Sequence, residues 1–264
     1  MTRFIALFVA LVAGVGVAVW YYRAPASGVP AAMLRNDDRW LDGLQSRSPN
    51  DVEQATALLE ERGTAALPVI RRTLQDPAAD PAKRQAALKA TALLGARAAE
   101  AIPDVAQSLQ EPDYAPEAAL ALSFMGSAAV PPLQDAINSN DAIVRREALR
   151  ALGKLRERAS IDPRIVVPLL LRAIDDPDPS VRNVAVTYLG IVRDEPVAEV
   201  AGLIEALADE NAEVRQAAAA ALAEYGTLAE RAIPALKKAA SDPDEDVRRE
   251  AGRTLVHLSE LKNR

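Results

Sequence analysis

From residue 48 onward, apolar and polar positions alternate with a helical period, in blocks that repeat. A Val-Arg dipeptide stands at Val144-Arg145, Val181-Arg182, Val214-Arg215 and Val247-Arg248. Carried backwards, the arginine position falls on Val52, Arg84 and Ala115, so the block recurs every 30 to 37 residues. Three residues further on, every block has alanine: Ala55, Ala87, Ala118, Ala148, Ala185, Ala218 and Ala251. Four beyond that stand Leu59, Thr91, Leu122, Leu152, Leu189, Leu222 and Leu255. An alanine and a leucine four apart share one helical face, the alanine permitting close approach and the leucine filling the space.

The start of this helix is also written in the chain. Four residues before the arginine position stand Ser48, Asp80, Glu111, Asp141, Asp178, Asn211 and Asp244. All but Glu111 are preferred N-caps, whose side-chain oxygen takes an otherwise unpaired backbone N–H. Pro49, Pro81, Pro112 and Pro179 follow directly, where a missing N–H does no harm. The acidic run from Asp242 to Asp246 therefore reads as one helix ending and the next being capped. It lacks the glycine and the later glutamate of a calcium loop.

A second helix has its own register, set by Pro68, Pro103, Pro131, Pro168, Ala201 and Pro234. An aliphatic residue precedes each, and another follows two positions later. The fifth position after it is small: Thr73, Ser108, Ala136, Ala173, Ala206 and Ala239. The fourth is polar without exception: Arg72, Gln107, Asp135, Arg172, Glu205 and Lys238. This is the pattern of an amphipathic helix buried on one side. Each block thus predicts two antiparallel helices that cannot cover their apolar faces alone, and stacking covers them. A lone helix near Trp40 and Leu44 caps one end, and the helix from Val247 caps the other.

Composition supports close helix packing: 50% of residues are hydrophobic but only 4% aromatic. With no cysteine, thiolate metal sites and cysteine nucleophiles are excluded. The net charge is −6, yet residues 1–36 carry three arginines and no acid, while the remainder carries 28 basic and 37 acidic side chains. Such a domain repels phosphate backbones unless its charges are segregated.

Phe4 to Tyr22 runs 19 residues without a charge. As a helix it would span about 28 Å, close to the hydrocarbon thickness of a bilayer. Trp20, Tyr21 and Tyr22 close it as an interfacial belt would, with Arg23 following. The expectation is a tail at 1–3, a transmembrane anchor at 4–22, a tether at 23–36 and the repeat domain at 37–264. That makes a single-pass membrane protein with its bulk outside the cytoplasm. The alternative is a secreted protein, with the segment cleaved near Ala24-Pro25-Ala26. Ala6, Ala10, Gly14 and Ala18 form a small-residue stripe through which two anchors could pair as a homodimer.

The string from Asp178 through Gly190, together with Asp141 to Gly153 and Asp244 to Leu255, resembles the HEAT motif, especially the short variety of phycobilisome lyases. The resemblance extends over roughly residues 38 to 261. It implies an all-α, right-handed solenoid in which second helices line the concave surface and carry the partner. It also implies that Arg145, Arg182, Arg215 and Arg248 join neighbouring units rather than form a site.

Three functional classes can be weighed. An enzyme needs groups that move protons, attack or hold a metal. The one histidine is His257, in the final helix. The reading therefore contains no catalytic, cofactor or metal residue and no enzyme, with a phycobilin-lyase-like activity suggested by the resemblance alone. A nucleic-acid-binding solenoid would need a basic inner face, and here Arg72, Arg172 and Lys238 mix with Asp135 and Glu205. The expectation is a membrane-tethered scaffold that binds a protein through Arg72, Gln107, Asp135, Arg172, Glu205 and Lys238.

Overall fold

The computed structural model describes residues 39–158 and 161–262. Those residues form fourteen α-helices and no strand. The first helices of successive units are α2 (Pro49–Arg62), α4 (Pro81–Leu94), α6 (Ala115–Leu122), α8 (Ala142–Glu157), α10 (Pro179–Val192), α12 (Ala212–Ala223) and α14 (Glu245–Lys262). The second helices are α1 (Arg39–Leu44), α3 (Leu67–Gln75), α5 (Ile102–Leu109), α7 (Val130–Ala136), α9 (Pro163–Ala173), α11 (Pro196–Ala206) and α13 (Ile233–Ala239). First helices pack on first helices from α4 through α14, and α3, α5 and α7 pack in succession on the other side.

Most of the sequence caps act as caps. The side chains of Ser48, Asp80, Asp141, Asp178 and Asn211 accept backbone N–H bonds at the starts of α2, α4, α8, α10 and α12. Asp244 does the same for α14, from the N–H groups of Asp246 and Val247. Glu111 does not. Residues 111–114 form a turn, α6 begins only at Ala115, and Glu111 instead receives the Arg84 guanidinium at 2.5 and 2.9 Å. Two second helices begin a turn or more before their expected register positions, Pro168 and Ala201. Asp162 caps α9, so Pro168 lies inside it, and α11 starts at Pro196.

The alanine and leucine positions of the first helices form one continuous core with the apolar face of the second helices. Leu152, Leu189 and Leu222 are fully buried, as is Thr91, whose hydroxyl donates to the Leu88 carbonyl one turn back. Thr73 and Ser108 satisfy themselves in the same way, on Val69 and Asp104 carbonyls. The turn from first to second helix needs a left-handed residue at Gly95, with φ of 57°. A β-carbon there would also lie 3.2 Å from the Phe124 carbonyl oxygen.

A ladder of arginines joins the units. Arg145 grips Asp176 at 2.8 and 2.7 Å, Arg182 grips Asp209 at 2.7 and 2.8 Å, and Arg215 grips Asp242 at 2.9 and 2.8 Å. Each bidentate fork reaches forward to the next unit. The remaining Nη1 of each arginine turns back to two carbonyls of its own loop, such as Asp176 and Pro177 for Arg182. Each aspartate also accepts the N–H of the cap residue two positions on. The bond from Arg215 holds the Asp242 carboxyl below its ordinary pKa. At Asp209 burial works in the opposite direction, but the bonds from Arg182 and the Asn211 N–H prevail, and the pKa is lowered. Arg248 makes the same backward bonds to Asp242 and Pro243.

One expectation is corrected. Among the described residues no helix is long and apolar enough to cross a membrane. The longest, α14, carries Glu245, Asp246, Arg248, Arg249, Glu250 and Arg253 along its first half. The assignment as a single-pass membrane protein with an extracytoplasmic bulk, or as its secreted form, is not upheld. The segment 4–22 on which it rested, the tail, the tether and the anchor stripe all lie outside the described residues.

Candidate functional site

From α3 to α13 each second helix displays the polar register position, because the buried small position and the polar position before it are adjacent and point apart. Arg72 on α3, Gln107 on α5, Asp135 on α7, Arg172 on α9, Glu205 on α11 and Lys238 on α13 are all exposed. Arg72, Gln107 and Asp135 ride on three helices that pack in succession, and Arg172 and Glu205 ride on another packed pair. The Arg172 Nη2 donates to Asn138 Oδ1 at 3.1 Å, which ties α9 to the turn after α7. Lys238 stands further along, on a helix held mainly by α14.

Beneath this row lie acids that the helical pattern did not single out. Asp104 on α5 is buried and accepts from Arg71 Nε at 2.6 Å and from Gln75 Nε2 at 2.7 Å. The bond to Asp104 raises the Arg71 pKa. This network fixes α3 against α5 and leaves a shallow open depression lined by Thr64, Pro68, Arg71, Arg72, Gln75 and Glu100. Glu199 on α11 is fully buried, beside the Asp194 N–H and the Tyr225 hydroxyl, which itself bonds the Leu189 carbonyl at 2.6 Å. Burial raises the Glu199 pKa. Both acids could have been suspected as charged residues falling on the apolar side of a second helix.

Chemically the face offers solvated charges of both signs and amides. Among the described residues no group of three histidine, aspartate or glutamate side chains could hold a metal ion. His257 is exposed on α14. What the row can do is form ion pairs and hydrogen bonds with an extended or helical segment lying across the helices.

Comparison with known proteins places this geometry. Residues 131–201 and 200–262 match the family described as HEAT repeats, together half of the chain. Among curated proteins none matches. The solved structure of Kap95p with RanGDP is similar, with a TM-score of 0.66, 14% identity, 86% of this chain covered and 34% of that one. Kap121p is similar at a TM-score of 0.62, with 17% identity, 84% of this chain covered and 29% of that one. The chain thus spans about a third of each, and the likeness shows the fold alone. The CpcE–CpcF complex of phycocyanin lyase from Nostoc sp. PCC7120 is similar at a TM-score of 0.50, with 25% identity, 59% of this chain covered and 98% of that one. The family match covers half of the chain and falls on helix pairs built by a single register, so the chain belongs to the HEAT-repeat family.

Proposed function

We propose that this HEAT solenoid is a non-enzymatic scaffold that holds a protein partner along its second-helix face, the concave side of a right-handed superhelix. The observation that carries the reading is the row of six exposed polar side chains, one on each second helix from α3 to α13, of alternating character. A partner segment with alternating charge, extended or helical, would pair with it, gaining specificity more than affinity from each contact. HEAT-family membership and the karyopherin-like fold support protein binding as the class of function.

The test is capture. Crosslinking in the protein's own cells, with identification of the captured chains, should yield a partner with the wild-type chain. The triple variant Arg72→Glu, Arg172→Glu, Lys238→Glu should lose it by about tenfold or more, since three rim charges reverse. Helical content should not change. Equal capture by the triple variant would remove the row from the binding site.

A second reading rests on the likeness to the phycocyanin lyase complex. Incubation with a bilin and an acceptor phycobiliprotein would give covalent colour if this chain shared that chemistry.

A further inference from the structure

On the first-helix side, the outward positions of each helix fall one, five and nine residues after the arginine position, four apart and therefore on one ridge. On α10 they are Asn183, Thr187 and Ile191, and on α6 they are Pro116 and Leu120, with Phe124 in the turn just past its end. On α8, between them, they are Arg146, Arg150 and Lys154, and Arg158 continues the row. Four cations thus stand on one ridge of a chain whose net charge is −6. The acids beside them are Glu147, which is buried and accepts from both Arg146 and Arg150 at 2.9 Å, and exposed Glu157. The ridge remains net positive by two.

Three features separate this ridge from an ordinary solvated face. Lys154 is only partly exposed and has no hydrogen-bond or ion-pair partner among the described residues. Burial, with Arg150 and Arg158 on either side, lowers its pKa. Arg158 is fixed in place, its guanidinium 4.2 Å from the Phe124 ring centroid and its Nη1 bonded to the Ser123 carbonyl at 3.1 Å. The ridge is flanked by exposed apolar side chains, Leu120 on α6 and Ile191 on α10, which are 37% and 42% exposed. Lys154 and Arg158 have no acid three residues earlier, whereas the cations Arg249 and Arg253 on α14 each do, as does Arg150.

We infer that the α8 ridge, with its apolar flanks, is a second docking surface, and that it takes an acidic amphipathic helix of a protein partner. Carboxylates four residues apart on such a helix recur about every 6 Å, the spacing of Arg150, Lys154 and Arg158. Apolar residues beside them would cover Leu120 and Ile191, a division of labour seen where amphipathic helices lie in shallow grooves. A nucleic-acid duplex or an anionic bilayer calls for a broader basic field, and α6 and α10 present neutral rows on either side.

The test is fluorescence anisotropy on the full chain with a labelled synthetic helix about 18 residues long. It carries glutamate at every fourth position and leucine on the adjoining face, and a twin has glutamine for glutamate. The glutamate peptide should bind, more weakly as salt rises, and its twin at least about tenfold less well. Arg150→Gln with Lys154→Gln should weaken binding about tenfold, and Arg172→Gln with Lys238→Gln should leave it unchanged. Lys154→Glu, which breaks no hydrogen bond or ion pair between described residues, keeps the test readable if loss of the Arg150–Glu147 bond unfolds the chain. The proposal is overturned if no peptide binds, if the twins bind equally, or if the α8 variants have no effect. It is also overturned if duplex DNA or phosphatidylserine vesicles bind the ridge more tightly than the peptide.

Discussion

Arg182 shows how one side chain ties two units together. Its side chain and that of Asp209 are each 8% exposed, and the guanidinium also carries two carbonyls of the preceding loop. Truncating it strands a buried carboxylate, so Arg182→Ala should lower the unfolding free energy by about 3–5 kcal/mol. The double variant Arg182→Ala, Asp209→Ala should lose much less than the sum of the two single changes, because no charge is then left unpaired. Urea denaturation of the four proteins measures this, and additive losses would show that the fork contributes nothing as a pair. At this scale the sequence was half legible. The arginines stood out through their Val-Arg register, and their role as joints followed from the family. Their partners did not stand out, because Asp176 and Asp242 sit two residues before Asp178 and Asp244 and look like further capping acids. Glu111 illustrates the same ambiguity from the other side, standing at the cap position as its one unfavoured member and used as the partner of Arg84.

Helix against helix, the spacing between neighbours is set by small residues on the first helices. Gly153 on α8 faces the Tyr188 ring of α10, and a β-carbon there would overlap the ring. On α14, Gly252 has nothing within 4 Å of where its β-carbon would stand. The two glycines should therefore respond oppositely to alanine. Gly252→Ala should raise stability by up to about 1 kcal/mol, the ordinary helical gain. Gly153→Ala should lower it by about 1–3 kcal/mol, because the ring must leave its rotamer or the helices must part. Thermal unfolding of both variants decides, and a gain in each would mean that α8 and α10 are not in close contact at that point. Starts of the first helices that carry a capping side chain were legible to the residue. The early starts of α9 and α11 were not, because Asp162-Pro163 and Glu195-Pro196 carry start signals as good as those at Pro168 and Ala201, and packing chose between them. The exposed position on every second helix was legible, since it follows from the burial of its small neighbour. The α8 ridge was not, because Arg145, a joint, and Arg146, a surface cation, are adjacent and only the packing of α8 separates their roles.

For the whole molecule, stacking turns a short pattern into a long surface. No single unit carries a site: Arg72 and Glu205 are more than a hundred residues apart in sequence and belong to one face only because every unit repeats the same two registers. That is why binding along the second helices is proposed rather than binding in a pocket. The depressions on the surface are shallow, and the first-helix one, between α10 and α12, is floored by Gly190, Ala217, Ala220 and Ala221. Partner chemistry was legible only as mixed charge, since exposed side chains are not constrained by packing and many sequences satisfy the fold equally well. The most direct measurement is a photo-crosslinking scan in the protein's own cells. A photoreactive residue is placed in turn at Arg72, Gln107, Asp135, Arg172, Glu205 and Lys238, and for contrast at exposed Glu53 and Glu213 on first helices. If the second-helix face holds the partner, the same chain is captured from at least several of the six positions and from neither contrast position. Capture from Glu53 or Glu213 but from none of the six would contradict it.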